Sequence, residues 1–369
     1  MTPSQDDLHR RVSAATDGAA AAAMPRVSVI VPVLRGDDNF RACLASLARL
    51  DPPPADLVVA VDGGDAAAVD LARTRGARVV VLDERGGPAR ARNAAARVAE
   101  GDILFFVDAD VTLPTDAVAR VVAALADHPR HAAIVGSYDD APAAPNFLSQ
   151  YKNLAHRFVH QAAHEEACTF WSACGAVRRD AFVRVGGYDE RYRRSSIEDI
   201  ELGSRLIAAG ERIRMVKSLA VKHLKRWTPA TLVTSEIVDR ALPWTRLILA
   251  SGQMPDDLNL KWSGRIAVAA ACGLGAALVA SVWFPWARPV AVVLAAVEIA
   301  IDSRLARYLH RKRGPVFAAR ALAWQWVHYV CSAAGFGMGV VMHLLAARRP
   351  LTVAAPARPD PVAGDPGCR

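Results

Sequence analysis

Short, unbroken apolar runs alternate along the first third of the chain with segments in which apolar positions recur three or four residues apart. VSVIVPVL (27–34), DLVVAVD (56–62), RVVVLD (78–83) and ILFFVDAD (103–110) predict strands. FRACLASLARL (40–50) and the stretches at about 66–75 and 88–99 predict helices. Strands written as continuous Val, Ile and Leu are buried on both faces, so the expected fold class is α/β: a Rossmann-like, mostly parallel sheet with helices on both faces. Ligands of such sheets sit outside the carboxyl ends of the strands. Further on, IEDIELGSRLIAAG predicts a helix that opens on Glu198-Asp199 and stops at Gly210, followed by a short strand in MVKSLAVKH.

Polar residues collect at the predicted strand ends: Pro32 and Arg35, Asp62 with Gly63-Gly64, Asp83, then Asp108 and Asp110. In an extended strand residues i and i+2 face the same side, so Asp108 and Asp110 are expected to project together and to repel unless a cation lies between them. A lone D-x-D is more often a turn cap, and Asp83 reads as one. Asp62, followed by two glycines, reads as facing a ligand that the backbone approaches closely.

The pattern changes after residue 228. Residues 229–262 form an amphipathic membrane-proximal segment, in which 235–250 is expected either at the headgroup level or as a core helix. Residues 263–347 are expected to be transmembrane, with helices at 265–284, 288–306 and 321–346. Lys261 and Arg265 before the first and Arg311-Lys312-Arg313 after the second place those flanks on the cytoplasmic side. Arg348-Arg349 argue against a simple outward third span, so it is expected to be re-entrant or shallow and the count is two or three. Glu298 and Asp302, four apart, are expected to be buried in a helix bundle or near an interface, without a catalytic role. The Ala-rich residues 1–24 and the Pro-rich residues 348–369 read as disordered tails, the first too weakly apolar for a signal peptide.

A hydrophobic content of 52% in 369 residues fits a globular domain joined to membrane helices. Net charge is +8, with clusters at 191–194, 222–226 and 311–313, which suits anionic lipid headgroups or a phosphorylated substrate. No nucleic-acid motif accompanies the charge, so nucleic acid is not expected as a partner. Six cysteines without C-x-x-C or metal-type spacing point to a reduced, cytoplasmic catalytic domain, and Cys168 and Cys174 read as small buried side chains.

Over about residues 26–228 the chain resembles the membrane-associated family-2 glycosyltransferases with the GT-A fold. VSVIVPVL, LVVAVDGGD, GGPARARNAAARVAEGDILFFVDADV, FWSACGAVRRDAFVRVGGYDE, SSIEDIELGSRLIAAG and VKHLKRW carry the resemblance through their order and spacing. It implies a catalytic domain at 25–228 that binds a nucleotide-sugar donor through a divalent ion, Mg²⁺ or Mn²⁺. Asp108 and Asp110 would be the diphosphate-metal pair, with Asp110 the direct ligand. Hard carboxylate oxygens plus phosphates are what these ions prefer. Asp62 would contact the base or ribose, beside Pro32 and the segment to Arg35; VDGGD departs from the family's usual adjacent acids and Gly-Ser, which leaves the base open. Arg90, Arg92 or Asn93 would reach ribose or phosphate at a helix N-terminus, unless the arginines lie on a solvated helix face.

Glu198-Asp199 matches the family's E-D motif, which implies Asp199 as the base that takes the acceptor hydroxyl proton and Glu198 as its support. His223 would be a metal or pyrophosphate ligand, or else a buried structural histidine, and Arg226 a phosphate contact. Trp171 and Trp227 would stack on an acceptor sugar or pack in the fold, and Gly175 would admit the acceptor. The implied function is a membrane-anchored, multi-pass, metal-dependent inverting transferase that moves one sugar from a UDP-sugar to a lipid or polysaccharide acceptor, with its oligomeric state open. Two rivals are a nucleotidyltransferase, for which LRGDDN is a poor Gly-rich loop, and a non-catalytic nucleotide-binding partner of a membrane synthase complex.

Overall fold

The computed structural model describes residues 24–252 and 261–347, so the tails expected at 1–24 and 348–369 lie outside the described residues except for Met24. The first half alternates as the apolar pattern predicts: β1 Val27–Val33, α1 Asp38–Leu47, β2 Asp56–Asp62, α2 Ala66–Arg73, β3 Arg78–Leu82, α3 Pro88–Val98 and β4 Ile103–Val107. These four strands pair in parallel in the order β3-β2-β1-β4. Every residue of β1 and β4 is buried, because helices cover both faces. Ile103, Phe105 and Val107 pack with Phe40, Leu44 and Leu125 on one face, while Leu104 and Phe106 pack with Ala89, Ala91, Leu202 and Leu206 on the other.

The chain continues through β5 Val111–Thr112, α4 Ala117–Asp127, β6 His131–Tyr138, α5 Phe147–Ala162, β7 Glu166–Ala167, β8 Cys174–Arg178, α6 Arg179–Arg184, α7 Glu198–Ala208 and β9 Arg212–His223. The sheet extends from β4 through β8, β6 and β9 to β5. β8 runs antiparallel to both β4 and β6, as β5 and β7 do to β9, whereas β6 and β9 are parallel, so the described sheet is mixed, with six strands running one way and three the other.

The expected strand 103–110 ends early. β4 stops at Val107, and the Val111 N–H donates to the Asp108 carbonyl at 3.1 Å, closing a turn through the D-x-D. Strand alternation therefore does not aim Asp108 and Asp110; the turn does.

Past β9, α8 Pro229–Thr234 runs into a π-helix, Ser235–Ala241, and α9 Leu242–Ser251. Then come α10 Trp262–Ala280, α11 Ala287–Ile301, α12 Ser303–Arg313 and α13 Pro315–Ala347. α10 and α13 are long and apolar enough to cross a membrane, and Leu278, Val279, Leu344 and Leu345 on them are each more than half exposed. The second expected span, 288–306, is broken at Asp302. Its apolar part, the 15 residues of α11, reaches about 22 Å at 1.5 Å per residue, less than a hydrocarbon core of about 30 Å. α13 is unbroken, so the segment at 321–346 is not a re-entrant hairpin. Asp302 is buried and accepts a hydrogen bond from Tyr329 Oη at 2.8 Å, the helix-bundle alternative anticipated for it.

Close helix approaches depend on missing side chains. A Cβ at Gly203 of α7 would collide with the backbone of Thr169 and Phe170. Gly203→Ala is expected to reduce unfolding free energy by about 1–3 kcal/mol. Gly337→Ala, which meets open space, should stay within about 0.5 kcal/mol of wild type. Denaturant unfolding of both variants in detergent, followed by near-UV signal, measures the difference.

Candidate active site

The hub of the site is a buried guanidinium. The Ala-rich face of α3 seats that helix close against the sheet, and Arg92, 3% exposed, points from it toward the turn after β4. Arg92 Nη2 donates to Asp108 Oδ1 at 2.7 Å, and Nη1 donates to Glu198 Oε1 at 2.9 Å. Burial works against the positive charge, but Asp108, Tyr188 and Glu198 together outweigh it and keep the group firmly protonated. Glu198 Oε2 accepts the Ser196 N–H at 2.8 Å, so both carboxylate oxygens are held.

Asp199 follows Glu198 in the first turn of α7. Its Oδ2 accepts from the Ser172 N–H at 3.2 Å and its Oδ1 from the Ile200 N–H at 2.8 Å. Burial and the adjacent Glu198 raise its pKa to about 7, against the pull of Arg92. A carboxyl group poised near neutrality can accept a proton as a general base.

The opposite side of the cleft is built by the last strands. β5 pairs with β9 so that Val111 lies across from His223, and the Leu224 N–H donates to the Asp110 carbonyl at 2.8 Å. His223 Nε2 lies 3.5 Å from Asp110 Oδ2, and the Tyr138 ring stacks on the imidazole at 4.6 Å. Burial pushes the Asp110 pKa up, but His223 and Lys225 pull it below the ordinary value. Asp108 moves the other way: burial, with Asp110 and Glu198, outweighs Arg92.

An open cleft of about 190 Å³ joins the two sides. It brings together Arg92, Asp108, Asp110, Trp171, Glu198, Asp199, His223 and Trp227 from the sequence-derived set. A divalent ion fits its chemistry at one end, where a carboxylate and an imidazole converge at Asp110 and His223. Among the described residues no three His, Cys, Asp or Glu side chains form a ready ligand set. Asp108 is held by Arg92, so the expected trio of Asp108, Asp110 and His223 is not preassembled. Two protein ligands, completed by diphosphate oxygens, is a common arrangement for such ions.

Several other expected residues have different work. Asp62 spends both oxygens on the N–H groups of Gly86 and Gly87, at 2.7 and 2.9 Å, and so fixes the loop entering α3. Asn93 is buried; its amide donates to the Tyr188 carbonyl at 2.8 Å and to Glu190 at 3.0 Å, and its Oδ1 accepts the Tyr188 N–H. The space beside Gly175 is filled by the Trp171 carbonyl and the Phe170 ring, so this glycine admits the chain's own backbone and not an acceptor. Arg226 is exposed and outside the cleft wall, where Lys225 stands instead. Arg90 packs over Gly86, Arg35 is exposed and Pro32 is buried within β1; none of the three lines the cleft.

The structure also adds Tyr138, Lys152, Asn153, His156 and Arg240 to the wall. Asn153 Oδ1 and Trp227 Nε1 are buried without a hydrogen-bond partner, two polar atoms able to meet ligand hydroxyls. A sequence motif marks none of these added residues; only the polar positions of an amphipathic α5 hint at Lys152 and Asn153.

Residues 28–186 match the family described as Glycosyl transferase family 2. The validoxylamine A glucosyltransferase of Streptomyces hygroscopicus subsp. limoneus is 30% identical over 225 residues, 52% of this chain and 50% of that protein. An N-acetylglucosaminyltransferase of Bradyrhizobium sp. (strain ANU 289) is 35% identical over 113 residues, 28% of this chain and 73% of the relative. The chain spans about half the length of the first curated relatives it matches. In three dimensions it is similar to the mannosyltransferase PcManGT from Pyrobaculum calidifontis, solved in complex with GDP-Man and Mn²⁺, with a TM-score of 0.54 at 18% identity over 89% of this chain and 93% of that one.

Removing the hub should expose its role. Arg92→Met leaves the buried Glu198 carboxyl without its cation, which is expected to lower unfolding free energy by about 3–5 kcal/mol. Adding Glu198→Gln to Arg92→Met should restore a large part of the loss, and a double-mutant cycle by denaturant unfolding reads the coupling.

Proposed function

The chain belongs to glycosyl transferase family 2, and from that premise we propose that it moves a sugar from a nucleotide-diphospho-sugar to an acceptor hydroxyl with inversion at the anomeric carbon. The observation that carries this reading is the convergence of Asp199, the Arg92 clamp and the Asp110–His223 pair on one cleft beside the carboxyl end of β4. The acceptor oxygen attacks the anomeric carbon, the bond from that carbon to the diphosphate oxygen breaks, and the hydroxyl proton passes to Asp199. Arg92 holds Asp108 and Glu198 in place, while the Ser172 N–H aims the Asp199 carboxylate. Asp110 and His223 would hold Mg²⁺ or Mn²⁺, which supplies neutralising charge for the departing nucleoside diphosphate. Lys225, in the cleft wall, adds positive charge on the same side.

A UDP-sugar donor and a lipid or polysaccharide acceptor complete the reading. The outward-facing apolar side chains of α10 and α13 support anchoring in a cell membrane, with the catalytic domain on the cytoplasmic side where nucleotide sugars are made. Release of nucleoside diphosphate from a panel of donors, with UDP-sugars first, tests the reaction; release of pyrophosphate instead would favour a nucleotidyltransferase.

The pH dependence follows from Asp199. It must be ionised to accept a proton, so kcat/KM should rise with pH and level off above about 7. Because folding raises this pKa from an ordinary 3.8, the folded state binds the proton more tightly than the unfolded state, and the ionised group costs stability above pH 7. Asp199→Asn is therefore expected to lower turnover by about 100-fold or more while leaving the melting temperature at pH 8 unchanged or higher, with donor Kd within about twofold. Turnover by the variant near the wild-type rate would remove Asp199 as the base.

Chelation gives an independent check. EDTA should abolish nucleoside diphosphate release and added Mn²⁺ should restore it, while Asp110→Asn and His223→Ala should each shift the Mn²⁺ requirement upward by about tenfold or more.

A further inference from the structure

A second cavity, of about 340 Å³, lies beside the cleft between the π-helix with α9, α10 and α13. Its size is that of a small-molecule site. Trp244, Ile248, Val268, Tyr329 and Phe336 give it an apolar lining, and Arg240 stands in the walls of both this cavity and the catalytic cleft. We propose that the acceptor is a lipid whose hydrocarbon chain occupies this cavity and whose polar head passes Arg240 to reach the cleft. The inference rests on the glycosyltransferase reading and names its acceptor.

Three features of the wall support one occupant of this kind. α10 and α13 are the two described helices long and apolar enough to span a membrane, so in a bilayer a cavity between them would open toward hydrocarbon, and most of its exposed lining is apolar, with Arg240, Arg265, Thr245 and Ser332 among its few polar groups. The polar end is already satisfied internally: His328 Nδ1 lies 2.9 Å from Glu236 Oε2, and Lys152 bonds the other oxygen. Of the two arginines in the cavity wall, Arg240 and Arg265, Arg240 also lines the cleft; its Nη1 lies 3.0 Å from His156 Nε2, and its charge reaches Asp199. Finally, Gly335 and Gly339 bring α13 against Ala241 and Thr245, so the wall toward α9 is closed by contact.

The head of such a lipid carries the hydroxyl that attacks the anomeric carbon. Its proton goes to Asp199, and the nucleoside diphosphate leaves with the electron pair of the broken bond. A chain held in the cavity fixes that hydroxyl at one depth, which turns a search across the bilayer into a local one.

The test uses the full chain in lipid nanodiscs with a dodecyl alcohol that carries a terminal diazirine. Photolabelling is expected to be saturable on peptides spanning 240–248, 264–268 and 328–336, and to be displaced by unlabelled dodecanol. Ser332→Trp and Val268→Trp, both on the lining, should each reduce this labelling by about fivefold or more and leave labelling of α11 unchanged. In parallel, a bacterial lipid extract should stimulate nucleoside diphosphate release by wild type, and both variants should lose that stimulation by about fivefold or more while basal release into water stays within about twofold. Labelling that does not saturate, stimulation intact in both variants, or no stimulation despite basal release would each overturn the lipid acceptor. Absence of basal release with every donor would instead overturn the glycosyltransferase reading, whatever the labelling shows.

Discussion

Everything in the cleft depends on one buried cation. Arg92 ties α3 to the turn after β4, 16 residues on, and to the start of α7, 106 residues on. Without it, Asp108 and Glu198 would face each other across a poorly solvated space, and ionising both would be costly. With it, the acidic residues separate into two groups with different chemistry. Asp108 and Glu198 are held by a permanent positive charge, and Asp199 beside them is left as a carboxyl group with a pKa raised to about 7. Asp110 is left to His223 and Lys225 and is depressed. One end of the cleft can take a proton near neutral pH; the other stays anionic and can bind a cation. Environments that push neighbouring acids apart in this way divide base from ligand.

The first four strands were legible in the sequence because burial on both faces demands unbroken apolar runs, short ones here, set between helical patterns. Their ends were less so. A strand-end aspartate can serve a ligand or a neighbouring loop, and Asp62 serves the loop, through Gly86 and Gly87. The aspartates of the D-x-D do meet in the cleft, but a turn and not strand alternation takes them there. Asp199 and His223 stood out only through motif resemblance, since an acidic pair in a first helical turn is unremarkable by itself. Lys152 and Asn153 showed only as polar positions of an amphipathic helix and Arg240 not at all, because their place in the cleft is set by how α5 and the π-helix fold back on the sheet.

The apolar helices are packed onto the catalytic domain and not merely tethered to it. Tyr151, Leu154, Leu305, Leu309, Ala318 and Ala321 form a shared buried cluster between α5, α12 and α13. Tyr151 Oη donates to Gln325 at 2.7 Å, and Lys312 bonds Asp140 across the same boundary. A charged contact among Lys152, Glu236 and His328, with Glu236 buried, joins α5, the π-helix and α13. A buried charged group of this kind adds little net stability, because desolvation offsets the attraction, yet any other registry of the three helices would leave Glu236 buried and unpaired.

That constraint bears on how substrate reaches the site. Lys152 also lines the cleft, and Glu236 also lines the apolar cavity, so the residues that lock the helices together are wall residues of both spaces. A shift of α13 by one turn would break the His328 contact and reshape the two cavities together, since packed cores offer a few discrete arrangements and no continuous range. The apolar helices are thus part of the architecture of the cleft and not an appendage to it. If they are the anchor proposed above, the same contacts would set the angle at which the cleft meets the bilayer, and with it which acceptor atoms could come within reach of Asp199.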